Sequence, residues 1–156
     1  MADRKEPGRL DGLLEGEEIV AMLSVRYSAG MQTEVESTAT PTMFRPSVVQ
    51  RHAYAYWSRR SASAGFPIAG PEMVLGVTPE RLLVWRPGPL RGRPKRFAGA
   101  LPLSRIQSAG VHRRVFATVL TMLMDQGTIV GVESLRGSRL RAFAATIPTF
   151  NDHRAR

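Results

Sequence analysis

The residue types that most often carry chemistry are few in this chain, and their spacing suits no catalytic constellation. Of the three histidines, His52, His112 and His153, none stands in an H-x3-H or H-E-x-x-H pattern that would set two ligands on one helical face for a metal ion. Cysteine is absent, which removes thiolate ligands, cysteine nucleophiles and disulfides together and fits a reducing compartment. Ser63 lies in Ser61-Ala62-Ser63-Ala64-Gly65, without the first glycine of a nucleophile elbow. Neither Lys5 nor Lys95 follows a glycine, so no phosphate-binding loop is present, and no G-x-G-x-x-G occurs. The acids that could share a proton, Glu17 with Glu18, Glu34 with Glu36, and Glu80, fall in a tail, an insertion and a turn, where solvated surface charge is the simpler reading. The expectation is a non-enzymatic protein without metal or cofactor.

The strongest remaining signal is positive charge. The net charge is +9, and 20 of the 22 basic residues are arginine. Residues 81–114 hold nine basic residues and no acidic one, so this stretch alone matches the whole net charge, whereas residues 1–18 hold three bases and six acids. Arg86, Arg91, Arg93, Lys95 and Arg96 crowd a segment whose prolines and glycines give it few amide donors and little strand tendency, so an exposed loop is expected over Arg86–Pro94. Arg113 and Arg114 follow at a later strand end. If the two groups meet, these seven residues form a cationic rim able to bind anions or acidic lipid, each base being worth about 1 kcal/mol near an anionic membrane surface.

Apolar patterning sets the elements that must carry this charge. Glu18–Val25 reads as a first strand. Residues 28–70 read as a long insertion, rich in Ser, Thr, Gly and Pro to Pro46 and then containing a short helix from Ser47 that stops at Gly65. Tyr54, Tyr56 and Trp57 on that helix are expected to pack onto the domain. Met73–Val77, the turn Thr78-Pro79-Glu80 and Arg81–Trp85 form a hairpin. Strands follow over Arg96–Leu103 and Ile106–Arg113, with Ile106, Ser108, Gly110 and His112 on one face. Val115–Met124 and Thr128–Leu135 form a second hairpin about Asp125-Gln126-Gly127. Leu140, Phe143, Ala144 and Ile147 then fall at helical spacing, in a helix capped by Ser138 and ended by Pro148.

Seven strands joined mostly by short turns, with one closing amphipathic helix, give a mostly β fold: an antiparallel sandwich or partial barrel capped by a C-terminal α-helix. Residues 1–15 read as a flexible acidic tail, 16–149 as a single domain and 150–156 as a second tail. This order resembles the pleckstrin-homology-like superfold, and in particular bacterial PH-like and GRAM-type domains. The resemblance is carried by Gly16-Glu17-Glu18 at strand one, Leu75–Trp85 with its Thr-x-x-Arg-Leu hairpin, and Leu101-Pro102-Leu103-Ser104-Arg105-Ile106 leading into the next strand. It spans residues 16–27 and 71–149. The chain departs from the family in its insertion and in lacking the lysine-rich first loop that phosphoinositide-binding relatives use. The resemblance therefore implies a scaffold used for binding, without lipid-headgroup specificity.

The functional expectation is a binding or regulatory module for a protein partner, met in a groove beside the last helix or along an open strand edge. An anionic membrane surface met by the arginine-rich loop is the alternative. Nucleic acid is the weakest partner, because the aromatic residues stand apart from the arginines. The longest apolar run, Val115–Met124, is half the roughly 20 residues a spanning helix needs, so no transmembrane segment is expected. The N-terminus has no apolar signal-peptide core, which favours a cytoplasmic location.

Overall fold

The computed structural model describes residues 10–27, 55–56, 58–89, 93–113, 117–134 and 136–151. Seven strands form one antiparallel sheet: β1 (Ala21–Tyr27), β2 (Glu72–Val77), β3 (Arg81–Pro87), β4 (Pro94–Pro102), β5 (Ile106–Arg113), β6 (Thr118–Met124) and β7 (Ile129–Ser134). Their order across the sheet is β4-β3-β2-β1-β7-β6-β5, so β4 and β5 are the two edges and the sheet does not close into a barrel. Strand β1 joins the two halves. It pairs with β2 along six residues but with β7 only at Arg26 and Tyr27, and this narrow seam lets the halves fold over each other. A single 3-10 turn, Leu103–Arg105, carries the chain from β4 to β5. This is the sandwich and C-terminal helix expected of a PH-like fold.

Period-two alternation builds the core. Leu23, Val25 and Tyr27 of β1 face inward with Met73, Leu75 and Val77 of β2 and Leu82 and Val84 of β3, all essentially buried. Helix α2 (Gly137–Ala144) supplies the lid: Leu140, Phe143 and Ala144 are buried on the sheet as their spacing predicts, but the helix ends at Ala144 rather than at Pro148, and Ile147, buried too, lies in the turns beyond it. The residues after it extend the sheet. Ala109 bridges Phe150 in parallel, with Ala109 N donating to Thr149 O at 3.3 Å and Asn151 N donating to Ala109 O at 3.0 Å. The β5 edge is thus met at Ala109 by the chain itself, using residues 150 and 151 of the expected C-terminal tail.

Helical residues 55–56 and 58–63, α1, lie inside the expected insertion and end at Gly65, whose φ of 74° suits only glycine without strain. Ala64, Phe66 and Ala69 are buried in the main core, and Tyr27 Oη donates to Ser61 Oγ at 3.2 Å, so this end of the insertion belongs to the domain. Tyr56 packs against the core with Arg60 over its ring; Tyr54, Trp57 and the beginning of the helix lie outside the described residues.

Several local expectations are corrected. Strand β1 starts three residues later than Glu18, because residues 10–20 run across the outer face of the sheet. There Leu10, Leu13 and Ile19 join Phe97 and Ala100 around buried Val74, Leu83 and Trp85, and Trp85 Nε1 donates to Asp11 O at 2.8 Å. The described part of the acidic tail, from Leu10, is therefore pinned rather than free. In β5 the register shifts between Ile106 and Ser108, a bulge that leaves Gln107 exposed and turns Ala109 and Val111 inward after Ile106. Ile106 thus does not share a face with Ser108, Gly110 and His112. Ser138 does not cap α2: Arg136 occupies the N-cap position without a side-chain bond, and its amide donates to Ser134 Oγ at 3.1 Å.

Candidate functional site: the cationic β3–β4 hairpin

Most polar groups drawn into the described structure serve the fold. Glu17 is the clearest case. Arg81 Nε donates to its Oε2 at 2.9 Å, Arg81 Nη2 to its Oε1, and Thr78 Oγ1 to Oε2 at 3.1 Å. Thr78 Oγ1 also accepts from the amides of Glu80 and Arg81, closing the β2–β3 turn, while Arg81 Nη2 reaches Gly12 O at 2.7 Å. The Gly-Glu opening and the Thr-x-x-Arg hairpin, separate in sequence, are thus two halves of one hydrogen-bonded knot that fastens residues 10–20 to the sheet. Glu17 is accordingly a structural acid, not the solvated surface charge expected of it.

The guanidinium of Arg81 holds the Glu17 carboxyl at about 2, well below its usual 4.5. A carboxyl whose pKa is depressed on folding contributes stability that is present above its unfolded pKa and is lost as pH falls toward the folded value. The wild type is therefore expected to lose melting temperature between about pH 5 and pH 2, with Glu17→Gln showing a flatter profile over that window. Thermal melts at stepped pH measure it, and identical slopes for the two proteins would refute the assignment.

Two further arginines are similarly committed. Arg26 Nε donates to Glu133 Oε1 at 2.7 Å across the seam, and that carboxylate is buried. Arg105 Nη2 donates to Ala64 O at 2.7 Å and stands 3.4 Å from Asp125 Oδ1, tying α1 to the β6–β7 turn. His112 is exposed on β5 with Nε2 3.0 Å from Thr121 Oγ1, a strand-surface histidine as expected; His52 and His153 lie outside the described residues. Among the described residues no group of three His, Asp or Glu side chains is placed to hold a metal ion.

The cations of the hairpin are different. Arg93, Lys95, Arg96 and Arg113 are exposed and make no ion pair among the described residues. Arg86 is exposed too, with Nε donating to Ala69 O at 2.7 Å. The expected loop Arg86–Pro94 is shorter than predicted, because Arg86 pairs with Arg96 and Pro87 with Pro94 in the ladder, leaving both prolines at strand ends where a missing amide costs little. Arg91 and Arg114 lie outside the described residues. Four strands, β2, β1, β7 and β6, stand between β3 and the β5 strand that ends in Arg113. Arg96 and Arg113 also occupy the ends of β4 and β5 remote from the 3-10 corner that joins them. The strand order thus unites Arg86, Arg93, Lys95 and Arg96 on one hairpin and assigns Arg113 to the other half of the sheet.

The open β4 edge is guarded against strand addition. Pro94 and Pro102 bound it, Lys95 and Arg96 stand on it, and a bulge at Ala98 breaks its register with β3 between Val84 and Trp85. A partner reaching this surface meets charged side chains before backbone. Sequence reading located the cationic segment by counting charges. It missed that Arg86 and Arg96 are opposite one another, since the shift of register at the bulge and the ladder beyond Trp85 have no marker in a text so rich in proline.

No protein-family model matches this chain, and no curated protein matches it. No described helix is long and apolar enough to cross a membrane.

Proposed function

We propose that the chain is a non-catalytic binding module that recognises an acidic segment of a protein partner through the β3–β4 hairpin. The observation that carries this reading is the contrast between the arginines bonded to Glu17, Glu133 and Asp125 and the exposed, acid-free set of Arg93, Lys95 and Arg96 on one edge. Uncompensated cations on paired strands steer and orient an anionic partner. The PH-like resemblance supports a binding scaffold, and the absence of cysteine fits a cytoplasmic setting. A protein segment is favoured over a lipid headgroup because Arg93, Lys95 and Arg96 follow one another at the start of β4, a spacing that suits successive acidic side chains.

The test uses a labelled peptide of alternating Glu and Ser, its Gln-Ser counterpart, and phosphatidylserine vesicles. The wild type is expected to bind the Glu-Ser peptide in a salt-sensitive manner, and the triple change Arg93→Glu, Lys95→Glu and Arg96→Glu to lose at least about tenfold in affinity. Binding to vesicles without binding to the peptide would replace the protein partner by a membrane, and binding to neither at low salt would end the electrostatic reading.

A further inference from the structure

Arg86 and Arg96 are direct cross-strand partners on the inner-facing side of the hairpin, the side opposite Trp85 and Phe97. Side chains so paired have Cβ atoms about 5 Å apart, and two like charges in that position destabilise a sheet unless an anion lies between them. Strands β3 and β4 supply none, since the segment from Arg81 to Arg114 contains no acid, and Glu72 at the start of the neighbouring β2 makes no ion pair with either arginine. Arg86 is also held in place. Its Nε donates to Ala69 O at 2.7 Å, and Ala69 is buried in the core, so the guanidinium is oriented by the fold while its two terminal nitrogens remain to bond a ligand. Arg96, exposed on the edge strand, can close on the same point from the open side.

We infer that Arg86 and Arg96 form a two-arginine clamp for one carboxylate of the acidic partner, a role that rests on the binding reading above. Arg86 is the fixed jaw and Arg96 the mobile one. A flat carboxylate accepts from the paired terminal nitrogens of Arg86 and from Arg96 at once, which cancels the repulsion that the empty pair carries. Arg93 and Lys95 have no such opposed partner and act as long-range attraction. The proline-bounded, bulged edge requires the partner segment to cross the hairpin with its side chains rather than extend the sheet.

The experiment is a double-mutant cycle on Arg86→Gln and Arg96→Gln, read by fluorescence anisotropy with the Glu-Ser peptide and its Gln-Ser counterpart. Each single change is expected to weaken Glu-Ser binding about tenfold or more, and the double change little beyond the larger single effect, since one carboxylate needs both jaws. Arg96→Lys keeps the charge but loses the fork, and is expected to recover only part of the affinity. Ligand-free Arg96→Gln should melt no lower than the wild type, which shows that the loss is not unfolding. Independent, multiplying losses, or single effects below about twofold with Arg93→Glu and Lys95→Glu still disruptive, would overturn the clamp and leave the binding reading standing. A wild type that ignores the Glu-Ser peptide would instead remove the reading beneath it.

Discussion

Phe143→Asp is expected to leave the domain unfolded at room temperature. Phe143 is 2% exposed and sits in the last turn of α2 beside buried Leu140 and Ala144, where the helix closes the sandwich. Truncating a buried phenylalanine costs about 3–5 kcal/mol, and the aspartate adds the cost of placing an uncompensated carboxylate among Leu, Met and Val side chains. The total reaches the lower part of the roughly 5–15 kcal/mol that holds a domain together. Loss of the cooperative transition by circular dichroism checks it, with Phe143→Leu, which stays apolar and gives up only part of the ring's volume, as the control at about 1 kcal/mol. A cooperative melt of Phe143→Asp within a few degrees of wild type would mean that the helix is not the lid.

Arg81→Ala is expected to be the next most damaging single change, at about 2–3 kcal/mol. Breaking a buried ion pair by removing one partner costs about 3–5 kcal/mol, and the Arg81 side chain, at 20% exposure, warrants a value below that range. What is lost is shared among three attachments: the Glu17 carboxylate is stranded with only Thr78 and the Leu14 amide, Gly12 O loses its donor, and residues 10–20 are freed from the sheet. The measurable signature is therefore double. The denaturation midpoint falls, and Trp85, 1% exposed beneath that segment, becomes accessible to acrylamide quenching in the still-folded protein. Arg81→Ala with wild-type quenching would show that the apolar contacts of Leu10, Leu13 and Ile19 hold the segment without the knot.

Much of the architecture was legible in the residues. The β2–β3 hairpin, the β6–β7 turn at Gly127 and the α2 face follow from local chemistry that no distant contact overrides: Thr78 folding its hydroxyl onto the next amides, a glycine with φ of 85°, and three apolar residues on one helical stripe. The misreadings arise where a distant contact decides. Leu10, Leu13 and Ile19 are too widely separated by acids and glycines to announce a core, yet the outer face of β2–β4 carries Val74, Leu83 and Trp85, which are buried only because that segment covers them. Gln107 carries no mark of a bulge. The candidate site was legible as a quantity of charge and not as an arrangement, because only the ladder shows which arginines oppose each other and which are divided by four strands.

The route of residues 10–20 bears on how the protein is handled as well as on how it folds. Gly12 lies so close to Phe97 that a Cβ there would meet the ring at 2.4 Å, and Phe97 is the residue next to Arg96. Any label or fusion joined ahead of Leu10 is thereby tethered within reach of the hairpin, at a local concentration of order millimolar for a short linker, and an acidic one becomes a competitor in cis. A reporter joined after Asn151 leaves from the β5 side instead.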